Sequence, residues 1–118
     1  MRLLAVFFAF FCFATPALAA PNFPALSGRV VDGANILSQA TKVDLDGKLA
    51  ALEAKTSRQL VVVTLASLQG YEISDYGYQL GRAWGIGRNK LNNGVLFIVA
   101  PTEHKVRIEV GYGLEPIL

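Results

Sequence analysis

Leu60-Val61-Val62-Val63-Thr64-Leu65 is an almost unbroken run of β-branched and aliphatic residues. A strand with one wet face alternates apolar and polar side chains, so a continuous run suits a strand buried on both faces of a sheet flanked by helices. Val95-Leu96-Phe97-Ile98-Val99 is a second run of the same kind. Between them, Ile73, Tyr76, Leu80, Ala83 and Trp84 fall on one face of a helix running from about Ile73 to Trp84. Gly77 and Gly81 lie one turn apart and let that helix approach the sheet closely. Two strands joined through a helix run parallel.

An earlier helix is expected from Gln39 to about Lys55. Ser38 stands where an N-cap belongs, with a hydroxyl able to accept from free amides of the first turn. Leu45, Leu49 and Leu52 recur at i, i+4, i+7. Gly47 costs that helix about 1 kcal/mol of propensity, and a close packing contact would account for it. Asp44 with Lys48 and Lys42 with Asp46 are ordinary surface pairs four residues apart. Thr56-Ser57-Arg58 ends the helix. Upstream, Val30-Val31-Asp32-Gly33 reads as a short apolar step into a turn.

Lys105-Val106-Arg107-Ile108-Glu109-Val110 alternates strictly, with Val106, Ile108 and Val110 expected inward and the charges outward. Pro101-Thr102-Glu103-His104 is the turn that joins it to the preceding strand as an antiparallel hairpin. The fold class is therefore α/β: a three-layer α/β/α sandwich with a mixed, mainly parallel central sheet and a C-terminal β-hairpin.

The first residues read differently. Arg2 precedes the uncharged apolar run Leu3 to Phe13, and Ala17-Leu18-Ala19 is a small-x-small cleavage site. This is the pattern of a secretory signal peptide over residues 1–19, too short for the roughly 18–20 apolar residues of a membrane span. Residues 20–28, with Pro21 and Pro24, form an extended leader, and residues 29–118 form the domain. Export places the domain in the periplasm, the cell envelope or the extracellular space. The formal charge of +2 falls to +1 without Arg2. Such a domain has no general attraction for nucleic acid or anionic lipid. Cys12 leaves with the signal peptide, so the remainder has neither a disulfide nor thiol chemistry.

Little of the usual catalytic apparatus is present. His104 is the single histidine and sits in an exposed turn, a poor place for a general base. Gly85-Ile86-Gly87 follows a helix and precedes a strand, the reverse of a dinucleotide fingerprint. Arg88 and Lys90 make that loop basic, and a phosphate could dock there, although a solvated loop explains the same residues. Asp32 and Glu115 each end an apolar segment beside glycine, where a side chain can leave the sheet edge. Together with Asn92 and Asn93 they offer hard oxygen ligands suited to Ca2+. The alternative is that these residues only form turns.

Val31-Asp32-Gly33-Ala34, Ile36-Leu37-Ser38, Ala83-Trp84-Gly85-Ile86-Gly87, Asn93-Gly94-Val95-Leu96 and Arg107-Ile108-Glu109-Val110-Gly111-Tyr112-Gly113-Leu114-Glu115 together resemble the TPM domain family, the last segment being the most specific. The resemblance runs from about Val30 to the end. It implies an α/β/α sandwich with an acidic cluster at one end of the sheet, where some members bind calcium. Asp32 and Glu115 match the acidic positions, and Asn92 stands where many relatives carry aspartate. Relatives usually continue with another Asp and another helix, so the resemblance implies a C-terminally truncated chain, whose membrane contact would be a missing C-terminal anchor. Three functional readings follow. The favoured one is a calcium-binding interaction or scaffold module, with an envelope protein or a phosphorylated ligand as partner. The second is a metal-assisted acid phosphatase acting on phosphomonoesters, with Arg88 or Lys90 neutralising phosphate charge. The third is a metal-free interaction domain in which Asp32 and Glu115 cap turns.

Overall fold

The computed structural model describes residues 20–85 and 94–110. Four strands form one sheet in the order β1-β2-β3-β4: β1 (Val30–Asp32), β2 (Leu60–Thr64), β3 (Val95–Ala100) and β4 (Lys105–Val110). β1, β2 and β3 are parallel neighbours, and β4 pairs antiparallel with β3. Two helices complete the elements, α1 (Gln39–Thr56) and α2 (Ile73–Trp84). The apolar step at Val30 is thus a true strand, too short for its periodicity to be read in isolation.

Side-chain parity divides the sheet into two faces. Val31, Val63, Ile98 and Arg107 follow one another across the register and share the first face. On this face lies the main core, built from Val31, Val61, Val63, Leu96, Ile98 and Ala100 against Tyr76 and Leu80 of α2, with Leu65 and Leu68 from the following loop. The second face carries Asp32 and Thr64, a register pair. α1 lies on that side, since its Lys42 reaches Asp32 (Nζ to Oδ2, 3.9 Å). The helices therefore cover opposite faces, giving the three layers.

The two helices are held differently. α2 buries Tyr76, Gly77, Leu80 and Gly81. A Cβ on Gly77 would stand 3.0 Å from Ile98 Cδ1 and 3.2 Å from Arg107 Cδ, so this glycine does permit a close approach to the sheet. Ala83, expected inward, is exposed. α1 buries only Leu49. Leu52 and Val43 are exposed. Gly47 meets nothing within 4 Å, so no packing contact accounts for it. The ends of α1 follow local chemistry: Ser38 Oγ accepts from the Thr41 amide at 3.1 Å, and Ser57, left-handed at φ 62°, donates its N–H to Glu53 O at 2.8 Å. Lys48 pairs with Asp44 as the spacing predicts, at 3.1 Å. Lys42 and Asp46 do not pair with each other in this way; Lys42 turns to Asp32 and Asp46 to Arg29. Longer-range partners displaced the local pair.

β4 reverses the expected orientation. Val106 is 62% and Ile108 56% exposed, while Arg107 and Glu109 are half-buried. The register explains it: Arg107 pairs with Ile98 and Glu109 with Leu96, both on the face that α2 covers. Alternation fixes which residues share a face but not which face a helix will choose. The two charges match each other, Arg107 Nε to Glu109 Oε1 at 2.9 Å, and the arginine stem lies against Gly77. Among the described residues, no helix is long and apolar enough to cross a membrane.

Candidate functional site

β1 and β2 are parallel neighbours, and the loops that leave their carboxyl ends go to helices on opposite faces of the sheet. In open α/β sheets the carboxyl ends of the parallel strands are the edge at which ligands characteristically bind. The residues at that edge are Asp32 and Thr64, the last residues of their strands.

Asp32 is built into this edge rather than hung from it. Its side chain is 3% exposed. Oδ1 accepts from Thr64 Oγ1 at 2.6 Å and from the Ile36 amide at 3.1 Å. Oδ2 accepts from the Leu37 amide at 2.9 Å. Thr64 Oγ1 in turn accepts from the Ala34 amide at 3.0 Å, and the Asn35 amide closes a turn onto Asp32 O at 3.1 Å. One carboxylate and one hydroxyl thus satisfy the backbone donors of the loop that launches α1. Gly33 is required here for space: a Cβ would stand 2.7 Å from Thr64 O.

The electrostatics follow from these partners. Burial pushes the Asp32 carboxyl up, but the Thr64 hydroxyl, the Leu37 and Ile36 amides and the Lys42 ammonium together outweigh it. The net effect holds the group below its ordinary value of 3.8. Asp32 is therefore an anion at neutral pH. A carboxylate offers about four lone-pair positions, and Oδ2, with one amide donor and a lysine at 3.9 Å, keeps acceptor capacity.

Of the expected site residues, Asp32 alone is described. Asn92, Asn93 and Glu115, the other expected metal ligands, and Arg88 and Lys90, the expected phosphate-binding pair, lie outside the described residues. A single carboxylate is not a calcium site, and among the described residues no three His, Cys, Asp or Glu side chains gather around a common position. Thr64 was not singled out by sequence reasoning. The signal was there: it is the one hydroxyl in the Leu60–Leu65 run, and a hydroxyl buried in an apolar strand needs a partner. His104 is exposed in its turn at φ 59°, as expected for a solvated residue. A shallow depression beside α1 is lined by Arg29, Ala50, Glu53, Ala54 and Ser57, but its arginine is already matched by Glu53 at 3.1 Å and Asp46 at 3.9 Å.

The family model of the TPM domain matches residues 30–118. The chain belongs to the TPM domain family. Its fold is similar to the solution structure of the N-terminal domain of a P. gingivalis protein, with a TM-score of 0.69 and 39% identity over 78% of this chain and 59% of that one. It is similar also to the N-terminal domain of a Corynebacterium glutamicum protein, with a TM-score of 0.62 and 24% identity over 82% of this chain and 62% of that one. At that identity the second likeness shows the fold alone. This TPM chain thus spans about three fifths of the length of each of these structures. No curated protein matches it.

Proposed function

We propose that this TPM domain is an exported, calcium-binding interaction module that works at the carboxyl edge of β1 and β2. The observation that carries this reading is the Asp32 carboxylate. It is anionic, enclosed, fixed by a hydroxyl and two amides, and placed where the loops of two parallel strands diverge. A preorganised anion with spare acceptor capacity is the element a hard cation needs first. Asn92, Asn93 and Glu115 would supply further oxygens. When bound, calcium would tie the loops of this edge together and present a charged surface to an envelope partner or a phosphorylated ligand. The apolar run and cleavage pattern of residues 1–19 support export.

Thermal unfolding of the chain in millimolar calcium and in chelator tests this reading. A ligand that binds only the folded state must raise its midpoint. The expected result is a calcium-dependent rise of several degrees that disappears in Glu115→Gln. Glu115 is the informative position, because Asp32 also holds the loop and its loss would perturb the apo domain. A cooperative transition with the same midpoint in calcium and chelator would remove the cation from this account.

A further inference from the structure

The segment Pro21-Asn22-Phe23-Pro24 pairs with no strand, yet it is held closely against the domain. Its contacts are made mainly to its main chain. The Gln69 side-chain amide embraces Asn22 from both sides: Oε1 accepts from the Asn22 N–H at 2.9 Å, and Nε2 donates to the Asn22 carbonyl at 2.8 Å. The same carbonyl accepts from the Tyr76 hydroxyl at 3.1 Å. Two residues on, the Pro24 carbonyl accepts from the Trp84 indole Nε1–H at 3.0 Å. Between these anchors the Phe23 ring meets Tyr76 edge-on, with centroids 5.3 Å apart at 75°. Pro21 is buried, and Tyr71, Ile73 and Trp84 pack against the core beside this strip.

This is the chemistry of a peptide groove. Proline fixes φ at two positions and biases the residue before each toward extended backbone, so little entropy remains to be lost on docking. Grooves for such segments are lined by aromatic rings whose N–H and O–H groups donate to alternate peptide carbonyls. The donors here are preset. Gln69 sits in a left-handed conformation at φ 57° and donates its own N–H to Ser67 Oγ at 2.8 Å. Burial pushes the Tyr76 phenol above 10.0, so it remains a donor at neutral pH.

We infer that Gln69, Tyr76 and Trp84 form a binding groove for extended Pro-x-Phe-Pro peptides of a partner protein, with residues 21–24 of the chain as its resident occupant. The groove reads main chain at residues 22 and 24 and sorts by shape at Phe23 and Pro21. Nothing in those contacts requires the peptide to belong to the same chain. Ala25 to Gly28, the link to β1, is exposed throughout and pairs with no strand, so the resident segment can leave without unpairing the sheet. A partner segment competes against a covalently tethered one, whose effective concentration is of order millimolar. The site is then silent unless the partner is abundant or the resident segment is weakened. This inference is independent of the Asp32 reading.

The test uses a labelled peptide with the sequence of residues 20–27 and the full chain carrying Phe23→Ala, read by fluorescence anisotropy. The expected result is saturable binding to Phe23→Ala, at least ten-fold weaker binding to the wild type, and loss of binding by a peptide with Ala in place of Phe. Adding Gln69→Glu to the Phe23→Ala chain, which replaces a donor by an acceptor facing a carbonyl, should weaken binding by ten-fold or more. If Phe23→Ala does not fold, titration of isotope-labelled wild type with millimolar peptide should shift the Trp84 indole and Gln69 amide resonances. A folded Phe23→Ala chain that ignores the peptide, or unchanged resonances in the wild type, would overturn the proposal. So would concentration-dependent dimerisation of the wild type with no peptide binding, which would assign the groove to the same segment of a second copy.

Discussion

Thr64 donates its hydroxyl to Asp32 at 2.6 Å across a register pair of β1 and β2, and accepts the Ala34 amide in return. The pair joins the sheet edge to the loop that starts α1. Thr64→Val keeps the shape and removes both hydrogen bonds. It leaves a buried carboxylate short of a donor and an amide without an acceptor, which costs about 1–3 kcal/mol. Urea unfolding of the variant should show that loss with an unchanged m-value.

Asp32 also sets a pH dependence. Its folded pKa is depressed below 3.8, so between the two values the unfolded chain holds more protons than the folded one. Stability from this group is complete above about pH 4 to 5 and is lost as pH falls through the folded value. The urea midpoint of wild type should exceed that of Asp32→Asn by a constant margin from pH 7 to about 5, and the margin should shrink below about pH 4. A margin that grows on acidification would contradict the sign of the shift.

Two helical glycines should respond oppositely to alanine. Gly47 faces open space, so Gly47→Ala should stabilise by up to about 1 kcal/mol through helix propensity. Gly77→Ala earns the same propensity but pushes a methyl to 3.0 Å from Ile98, which is fully buried at the sheet centre. Overpacking of that kind costs about 1–3 kcal/mol, so Gly77→Ala should be neutral to destabilising. Thermal midpoints of the two variants measured side by side decide it.

The orientation of β4 can be checked the same way. Ile98 and Ile108 are both isoleucines of one hairpin, the first fully buried and the second 56% exposed. Ile98→Ala should cost about 2–5 kcal/mol, whereas Ile108→Thr should change stability by no more than about 0.5 kcal/mol. Equal losses would mean that the apolar side of β4 faces the core after all.

Much of this architecture was legible before any coordinates. α2 and β4 begin and end where their periodicity puts them, and Ser38 caps α1 as its position predicts. At the carboxyl edge of β1 and β2, Asp32 was legible and Thr64 was not, because a carboxylate after an apolar step beside glycine marks a strand leaving the sheet. Its actual use, as acceptor for Ile36, Leu37 and Thr64, was not. Thr64 lies 32 residues away, and only parallel pairing of β1 with β2 brings the two side chains together.

The sequence alone determined what local forces decide: the span of each helix, the two apolar strands, the hairpin turn and the N-cap. These depend on interactions among near neighbours and on periodicity. Tertiary structure alone decided which face of β4 turns inward, that Lys42 abandons Asp46 for Asp32, and that Gln69, Tyr76 and Trp84 close on Pro21 to Pro24. Each of these is a choice between partners of nearly equal local merit. Such choices are settled by which surfaces the packed sheet and helices bring within a few ångströms, and that information is not carried by any short stretch of the chain.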